Sequence, residues 1–187
     1  MEQSKVDILE KEGKFLKKLL ESTVKCPICN YNEMKIADYL YEMPYVGKVL
    51  LSTGKCPRCG FKFNDVRVFE ASNPKKIIFK VDKPEDLNAL VVRASSASIK
   101  IPELGLELTP GPTAQGFITT VEGVLHMFKE ITEFLCSQPD ADKRACEERL
   151  KEINEAIDGK RTFTLIVLDP EGVSKIVHEK VVEEPLG

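Results

Sequence analysis

Four cysteines in two closely spaced pairs are the residues of this sequence with the clearest chemistry. The pairs are Cys26-Pro-Ile-Cys29 and Cys56-Pro-Arg-Cys59, with 26 residues between them. Zinc binds thiolates tetrahedrally at about 2.3 Å. A two-residue spacer lets both sulfur atoms of a pair turn toward one ion, and Gly60 supplies the backbone freedom that such a turn needs. The spacing therefore predicts a zinc ribbon, with one zinc ion held by these four cysteines.

This ligand set favours a structural ion over a catalytic one. Four thiolates occupy every position of tetrahedral zinc and leave no place for water. The chain has two histidines, His126 and His178, which are isolated in the sequence. They are too few for a histidine-rich catalytic metal site. Two other interpretations of the cysteine pairs are four buried thiols or a redox-active pair, but paired C-x-x-C motifs are more typical of a metal site.

The other candidates for chemistry are weaker. The segment 111–116 has the glycine spacing of a phosphate-binding loop, but Phe117-Ile118 stands where such a loop requires Lys followed by Ser or Thr. Cys136 and Cys146 flank a predicted turn, and we expect buried free thiols, with a disulfide as the alternative in a hyperthermophile. No pair of carboxylates has a catalytic setting, so the sequence predicts a protein that is not an enzyme.

Aromatic residues cluster between the two cysteine pairs. All four tyrosines of the chain lie there, together with Met43: Tyr31, Tyr39, Tyr41 and Tyr45. Aromatic residues and methionine are enriched in the cores of protein interfaces. They could equally pack beneath a ribbon that is too small to have much core of its own. Both interpretations remain open at this stage.

Charge favours a protein partner over nucleic acid. The 187 residues include 27 basic and 30 acidic ones, for a net charge of -3. Residues 26–69 contain six basic and four acidic side chains, and four thiolates with one zinc ion add a charge of -2, so this segment is close to neutral. Residues 120–160 carry ten acidic and six basic side chains. A phosphate-binding surface normally needs a clustered positive excess.

No stretch of the sequence suggests a membrane or an exported protein. No apolar run approaches the ~18 residues that a membrane span requires. The first 25 residues are charged throughout and lack an apolar signal core. We therefore expect a cytoplasmic protein.

The periodicity of apolar residues predicts the elements that position the cysteines. We expect a helix over 5–22, a four-Cys zinc finger over 26–70 and a mainly β domain over 71–187. From residue 66 onward the pattern predicts strands at 66–71, 76–81, 98–108, 162–168 and 173–177, and a short helix at 83–92. An antiparallel helical hairpin is predicted at about 119–159, beginning at a capping box of Thr119 and Glu122. Residues 1–25 are then an N-terminal helical unit.

Several linked stretches between Cys26 and Val177 resemble the ZPR-type zinc finger proteins. Besides the cysteine pairs, they read MPYVGKVL at 43–50, RASSASIKIPELGLEL at 93–108 and GFITTVEGVL at 116–125. The resemblance implies a four-Cys zinc finger followed by a double-stranded β-helix, a jelly-roll-like domain, that carries the helical hairpin. Eukaryotic members have two such modules in tandem, and this chain resembles the single-module archaeal form.

The resemblance also implies a function. Eukaryotic members of the family bind translation elongation factor one-alpha and assist its biogenesis as folding chaperones. We therefore expect a zinc-binding protein-interaction factor whose partner is this GTPase. The alternative is a zinc ribbon protein that associates with nucleic acid or the ribosome.

Overall fold

A computed structural model describes residues 16–43, 47–68, 73–111 and 113–187 as two β units and a pair of helices. The first unit is an antiparallel sheet in the order β1-β2-β3-β4. Its strands are β1 (Leu16–Val24), β2 (Met34–Met43), β3 (Gly47–Lys55) and β4 (Lys62–Val68). The β1–β2 and β3–β4 turns contain the two cysteine pairs, so the sheet brings both pairs to one end. This arrangement confirms the expected zinc ribbon architecture.

The predicted N-terminal helix is wrong where the structure describes it. Residues 16–24 form strand β1, paired with β2 from Leu16 opposite Tyr41 to Val24 opposite Met34. The leucines that suggested a helical stripe are 43%, 45% and 58% exposed at positions 16, 19 and 20. A helix needs a surface on which to bury such a stripe, whereas here the backbone pairs with β2 and tertiary pairing overrides the local pattern. The rest of the predicted helix, 5–15, lies outside the described residues.

The second unit is the expected jelly-roll-like domain of two sheets. A five-stranded sheet has the order β12-β5-β10-β7-β8, and a three-stranded sheet has the order β11-β6-β9. The strands are β5 (Lys75–Val81), β6 (Leu90–Arg93), β7 (Ser98–Ile101), β8 (Leu106–Leu108), β9 (Phe117–Thr120), β10 (Phe163–Asp169), β11 (Lys175–Val177) and β12 (Val182–Pro185). Inward-facing residues such as Phe79, Ile99 and Leu165 are fully buried and form its core.

Local chemistry explains where the predicted strand boundaries were wrong. The strand expected over 98–108 is divided, because Pro102 begins a short 3-10 turn and Gly105 adopts a left-handed conformation with φ of 58°. The helix expected over 83–92 is a 3-10 turn, Pro84–Asn88, followed by β6. The strand expected over 66–71 begins earlier, since β4 starts at Lys62, and its last residues lie outside the described part.

The helical hairpin consists of α1 (Val121–Cys136) and α2 (Lys143–Ile157). Its N-cap is Thr120, whose hydroxyl accepts from the amide of Gly123, so the capping box expected at Thr119 is wrong by one residue. Val121, Val124, Leu125 and Phe128 are buried on the domain. Within the described residues neither helix has the length and apolar content required to cross a membrane.

Cys136 and Cys146 form a disulfide, contrary to the expectation of free thiols. Cys136 is the last residue of α1 and Cys146 lies in the first turn of α2, so the antiparallel packing of the helices places their Cα atoms 5.8 Å apart. This separation is in the usual range for a disulfide. The bond joins the two helices at the end of the hairpin that carries their connecting turn.

The two β units meet through a small apolar contact and a polar clamp. Val49 and Val66 of the first sheet are buried against Val92 of the jelly roll. The Gln115 side chain donates to the carbonyl of Lys62 and accepts from the amide of Asn64, each at 3.2 Å. These contacts fix β4, and with it the cysteine-bearing end of the sheet, to the jelly roll.

A close backbone approach and a buried arginine support this junction. A Cβ atom at Gly116 would lie 2.9 Å from the amide nitrogen of Val66, so only glycine allows β4 to approach this closely. Arg93 is buried and donates to the carbonyls of Ala97 and Gln115, which positions the clamping glutamine. Burial lowers the pKa of the Arg93 guanidinium and nearby Asp169 opposes that shift.

Candidate metal centre

The two cysteine pairs lie in turns that share the same pattern of backbone hydrogen bonds. The amide of Cys26 donates to the carbonyl of Tyr31 at 2.7 Å, and that of Cys56 donates to Phe61 at 2.8 Å. The carbonyl of each of these cysteines accepts from the residue four positions later, Asn30 or Gly60, at 3.0 Å. Each turn therefore points two thiol groups toward the other turn.

Each turn includes one residue in the left-handed region. Gly60 has φ of 75°, as the sequence suggested, and Asn30 has φ of 58°. Asparagine is one of the few residues besides glycine that tolerate this conformation. The corresponding positions, one residue after each pair, are the signal by which Asn30 could have been identified from the sequence.

The structure brings the four predicted ligands into one cluster. All four sulfur atoms lie within 4.8 Å of one another, with 3.7 Å between Cys26 and Cys59 and 3.6 Å between Cys29 and Cys56. A tetrahedral zinc ion with Zn–S bonds of about 2.3 Å separates its sulfur ligands by about 3.8 Å. Two of the sulfur–sulfur distances thus match those around one tetrahedral ion, and the four thiols are close enough together to bind a single soft metal ion.

The cluster is the one group in the described part of the chain that could hold a metal with three or more Cys, His, Asp or Glu side chains. His126 lies on α1, 3.9 Å from Glu122, and His178 lies 3.4 Å from Asp86 and against the ring of Phe79. Each histidine thus lies beside a carboxylate of the jelly-roll unit, away from the thiol cluster in sequence and in fold.

Backbone amides prepare one of the thiols to bind as a thiolate. Burial alone would raise the pKa of Cys56, but the N–H groups of Cys59 and Arg58 donate to its sulfur and lower the pKa to about 6. A thiolate is the form that binds a metal ion. The amide of Phe61 acts to lower the pKa of Cys59, but burial and the neighbouring thiols raise it to about 12, so the turn favours the thiolate at Cys56 and not at Cys59.

A small apolar layer supports the cluster from one face of the sheet. Cys26, Met34 and Cys56 are buried together, and the side chains packed on them are Val24, Cys29, Tyr31, Ile36, Phe61 and Phe63. Gly54 lies within this layer, where a Cβ atom would be 2.7 Å from the carbonyl oxygen of Lys35. The sequence analysis missed Gly54, because its requirement arises from a neighbouring strand.

Two of the four tyrosines pack against buried residues. Tyr31 packs beside the thiol cluster and donates its hydroxyl to Glu33 at 2.7 Å. Tyr41 packs at the junction with the jelly roll. Tyr39 is half-buried in β2, and Tyr45 lies outside the described residues. The packing interpretation thus holds for Tyr31 and Tyr41.

The two glycines of the segment 111–116, which has the spacing of a phosphate-binding loop, lie in different surroundings. Gly111 lies in an irregular loop before β9, and Gly116 is confined by the close approach of β4. Gln115, between them, is occupied in the clamp on β4. Gly116 therefore serves the junction of the two β units, whereas a Cβ atom at Gly111 would meet no atom within 4 Å.

Comparison with known proteins identifies the relatives of this fold. Residues 85–185 match the model of the ZPR1 jelly-roll domain. The chain is 42% identical over 164 residues to an uncharacterized ZPR1-like protein of Methanocaldococcus jannaschii, covering 86% of this chain and 83% of that protein. It is 37% identical to an uncharacterized ZPR1-like protein of Pyrococcus horikoshii, covering 83% and 73% of the two chains.

A eukaryotic relative carries a functional name. The zinc finger chaperone zpr1 of Schizosaccharomyces pombe is 34% identical over 159 residues, which cover 78% of this chain. The matched residues are 33% of the yeast protein. This chain therefore corresponds to about a third of that chaperone's length.

Proposed function

Because the chain belongs to the ZPR1 family of zinc finger proteins, we propose that it is a zinc-stabilised binding protein that assists the folding of a protein partner. The observation that carries this proposal is the set of four thiol groups within 4.8 Å of one another. Four thiolates saturate a tetrahedral ion, so zinc bound by Cys26, Cys29, Cys56 and Cys59 stabilises the fold and leaves no position for a substrate. The function then depends on surfaces that the metal holds in place.

One zinc ion per chain would compensate for the small size of the supporting core. The layer around the cluster includes only three fully buried side chains, two of which are the cysteines Cys26 and Cys56. Such a layer is too small to hold a four-stranded sheet by apolar burial alone. Zinc binding contributes directly to folding free energy in modules of this kind.

The exposed apolar surface supports a binding role. At the disulfide-linked end of the hairpin, Ile131, Phe134 and Leu135 are 39%, 66% and 58% exposed. Ile28, in the first cysteine turn, is 61% exposed. Exposed large apolar side chains in groups mark surfaces that engage other proteins. A chaperone requires such surfaces because its clients expose apolar groups before they fold.

The partner that we propose is translation elongation factor one-alpha, in the cytoplasm. The S. pombe relative is named a chaperone, and the family resemblance set out above connects such chaperones with this GTPase. The ten acidic residues of the hairpin segment 120–160 complement a basic partner surface, and such complementarity accelerates association.

A nucleotide-dependent pull-down tests this proposal. The full chain, loaded with zinc, is immobilised and incubated with the elongation factor of the same organism in its GDP-bound, GTP-bound and nucleotide-free states. We expect retention in at least one state and loss of retention after chelation of zinc. The absence of retention in every state would refute the proposed partner, and an unrelated GTPase serves as the control for non-specific capture.

A further inference from the structure

Three lysines are directly opposite one another on neighbouring strands near the thiol cluster. Lys35 of β2 is opposite Lys55 of β3, and Lys55 is opposite Lys62 of β4. Directly opposite residues of an antiparallel pair point to the same face of the sheet. Neighbouring strands are about 4.8 Å apart, so this lysine row extends over about 10 Å. All three residues are exposed.

Few side-chain ion pairs involve the lysine row. Like charges directly opposite each other destabilise a sheet. Lys35 has one acidic neighbour, Glu21, at 3.8 Å. Across the described ranges of the chain, Lys55 and Lys62 form no ion pair. The next residues on this face are uncharged in β2, β3 and β4, namely Ala37, Thr53 and Asn64. The four thiolates with one zinc ion, of net charge -2, lie in the turns at this end of the sheet and offset part of this positive charge, and a bound anion would offset more of it.

A cleft of about 490 Å³ opens beside this row. It is lined by Thr23, Tyr31, Glu33, Lys35, Lys55 and Pro57. The Glu33 carboxylate accepts the hydroxyl of Tyr31 at 2.7 Å, and Tyr31 in turn packs beside the metal cluster. The ring of Tyr31 and the ring of Pro57 add apolar surface to a cleft whose charged groups are mostly lysines.

The cleft and the lysine row are held in a fixed shape. The Gln115 side chain binds the carbonyl of Lys62 and the amide of Asn64, which fixes the β4 end of the row to the jelly roll. At the other end, Tyr31 and Pro57 belong to the two cysteine turns. A preformed site loses less conformational entropy on binding than a mobile one.

We propose that this lysine row and the adjoining cleft bind an extended, carboxylate-rich segment of the protein partner. This inference rests on the proposed function and specifies the chemistry that the partner must present. Three lysines over about 10 Å match the length of three or four extended residues. The aromatic and proline rings suit an apolar side chain next to the acidic ones. Nucleic acid fits less well, because a chain of net charge -3 lacks the broad positive surface that phosphate binding requires.

A fluorescein-labelled hexaglutamate peptide tests the site without the partner. Its binding to the zinc-loaded full chain is measured by fluorescence anisotropy at two salt concentrations, in parallel with labelled single-stranded dT12. The test variant is Lys55→Glu with Lys62→Glu. The matched control is Lys17→Glu with Lys48→Glu, two exposed lysines of the same sheet that lie outside the row. Circular dichroism verifies that both variants are folded.

We expect the test variant to bind hexaglutamate at least about 10-fold more weakly than the control variant, and higher salt to weaken binding by the original chain. Equal affinity of the two variants would overturn the proposal, as would absence of peptide binding by the original chain or tighter binding of dT12 than of the peptide.

Both variants are then used in the pull-down with the elongation factor. Equal retention of the factor by the test and control variants would refute the acidic-segment site alone, whereas no retention by any chain, the original included, would refute the proposed partner.

Discussion

At the scale of single residues, the metal centre depends on positions that are not cysteines. Asn30 and Gly60 allow the two turns to adopt the same left-handed conformation. Gly54 leaves room for β2 to approach the supporting layer. These residues contribute no ligand atom, yet each determines where a sulfur atom lies.

Replacement of Gly54 by alanine should destabilise the first sheet. The added Cβ would lie 2.7 Å from the carbonyl oxygen of Lys35, a backbone atom that moves only with its strand. We expect a loss of about 1–3 kcal/mol in the free energy of unfolding, as for other overpacked positions, and weaker retention of zinc against a chelator. Gly111→Ala is the control, because a Cβ there meets no atom within 4 Å. Equal denaturation midpoints for the two variants would contradict the close approach.

The single residues also differ in whether their roles could be predicted from the sequence. The four cysteines were identifiable because C-x-x-C spacing reflects the geometry of one turn, which is local. Gly54 and Gly116 were not, since each is required by a strand or loop that is distant in the sequence. The role of Arg93 was not predictable either, because it donates to the carbonyl of Gln115, which approaches only when the loop is in place.

At the scale of elements, helices with apolar stripes and caps in their own sequence were predicted more accurately than elements that depend on pairing with a distant strand. The helical hairpin was found correctly because both helices have long apolar stripes and clear caps. Residues 16–24 have apolar residues at helical spacing, so the sequence predicts a helix there, and pairing with β2 overrides that local pattern. The disulfide depends on the packing angle of α1 against α2, which the spacing of Cys136 and Cys146 does not determine.

A buried carboxylate connects two elements of the jelly roll. Asp86, in the 3-10 turn Pro84–Asn88, is 3% exposed and forms an ion pair with Lys180. Burial alone would raise its pKa, but the Lys180 ammonium group and the amides of Asp82 and Lys83 lower it to about 2. The folded-state pKa is below the unfolded value of about 3.9. Asp86 therefore stabilises the fold above about pH 4, and this contribution is lost as the pH falls toward 2.

Asp86→Asn should remove this pH dependence. The neutral amide cannot pair with Lys180, so we expect a loss of about 1–3 kcal/mol at pH 7. The difference in unfolding free energy between the original chain and the variant should shrink between pH 4 and pH 2, as measured by urea denaturation. Asp140→Asn, at an exposed position of the hairpin turn, controls for the loss of one charge. A difference that stays constant over this pH range would contradict the assignment.

At the scale of the whole molecule, the two β units have different sources of stability. The jelly roll has a large continuous core of buried apolar side chains. The first sheet has two small clusters, one shared with the jelly roll and one built around the cysteines. The resemblance to a known family supplied the topology of the jelly roll, which the strand pattern alone did not define.

Removal of zinc should therefore unfold one unit and spare the other. With EDTA, we expect amide hydrogen exchange to accelerate strongly in strands β1 to β4 and to remain slow in β5, β7 and β10. Structural zinc contributes on the order of 10 kcal/mol in comparable modules, more than the small apolar layer around the cluster can replace. Re-addition of zinc is the control for reversibility. Continued protection of the first sheet, after elemental analysis confirms that the metal is gone, would show that the ion is not structural.

The position of the thiols in two separate hairpin turns has a kinetic consequence. Each hairpin forms from neighbouring residues and is a fast, local event, but neither hairpin alone offers more than two sulfur atoms. Cys29 and Cys56, whose sulfur atoms are 3.6 Å apart, are separated by 27 positions in the sequence. A metal ion that binds both turns closes this loop and lowers the entropy of the unfolded chain before the sheet is complete. With zinc as the proposed ion, the concentration of free zinc would be a variable of the folding rate, and newly made chains in a zinc-poor cell would mature slowly even when the finished protein is stable.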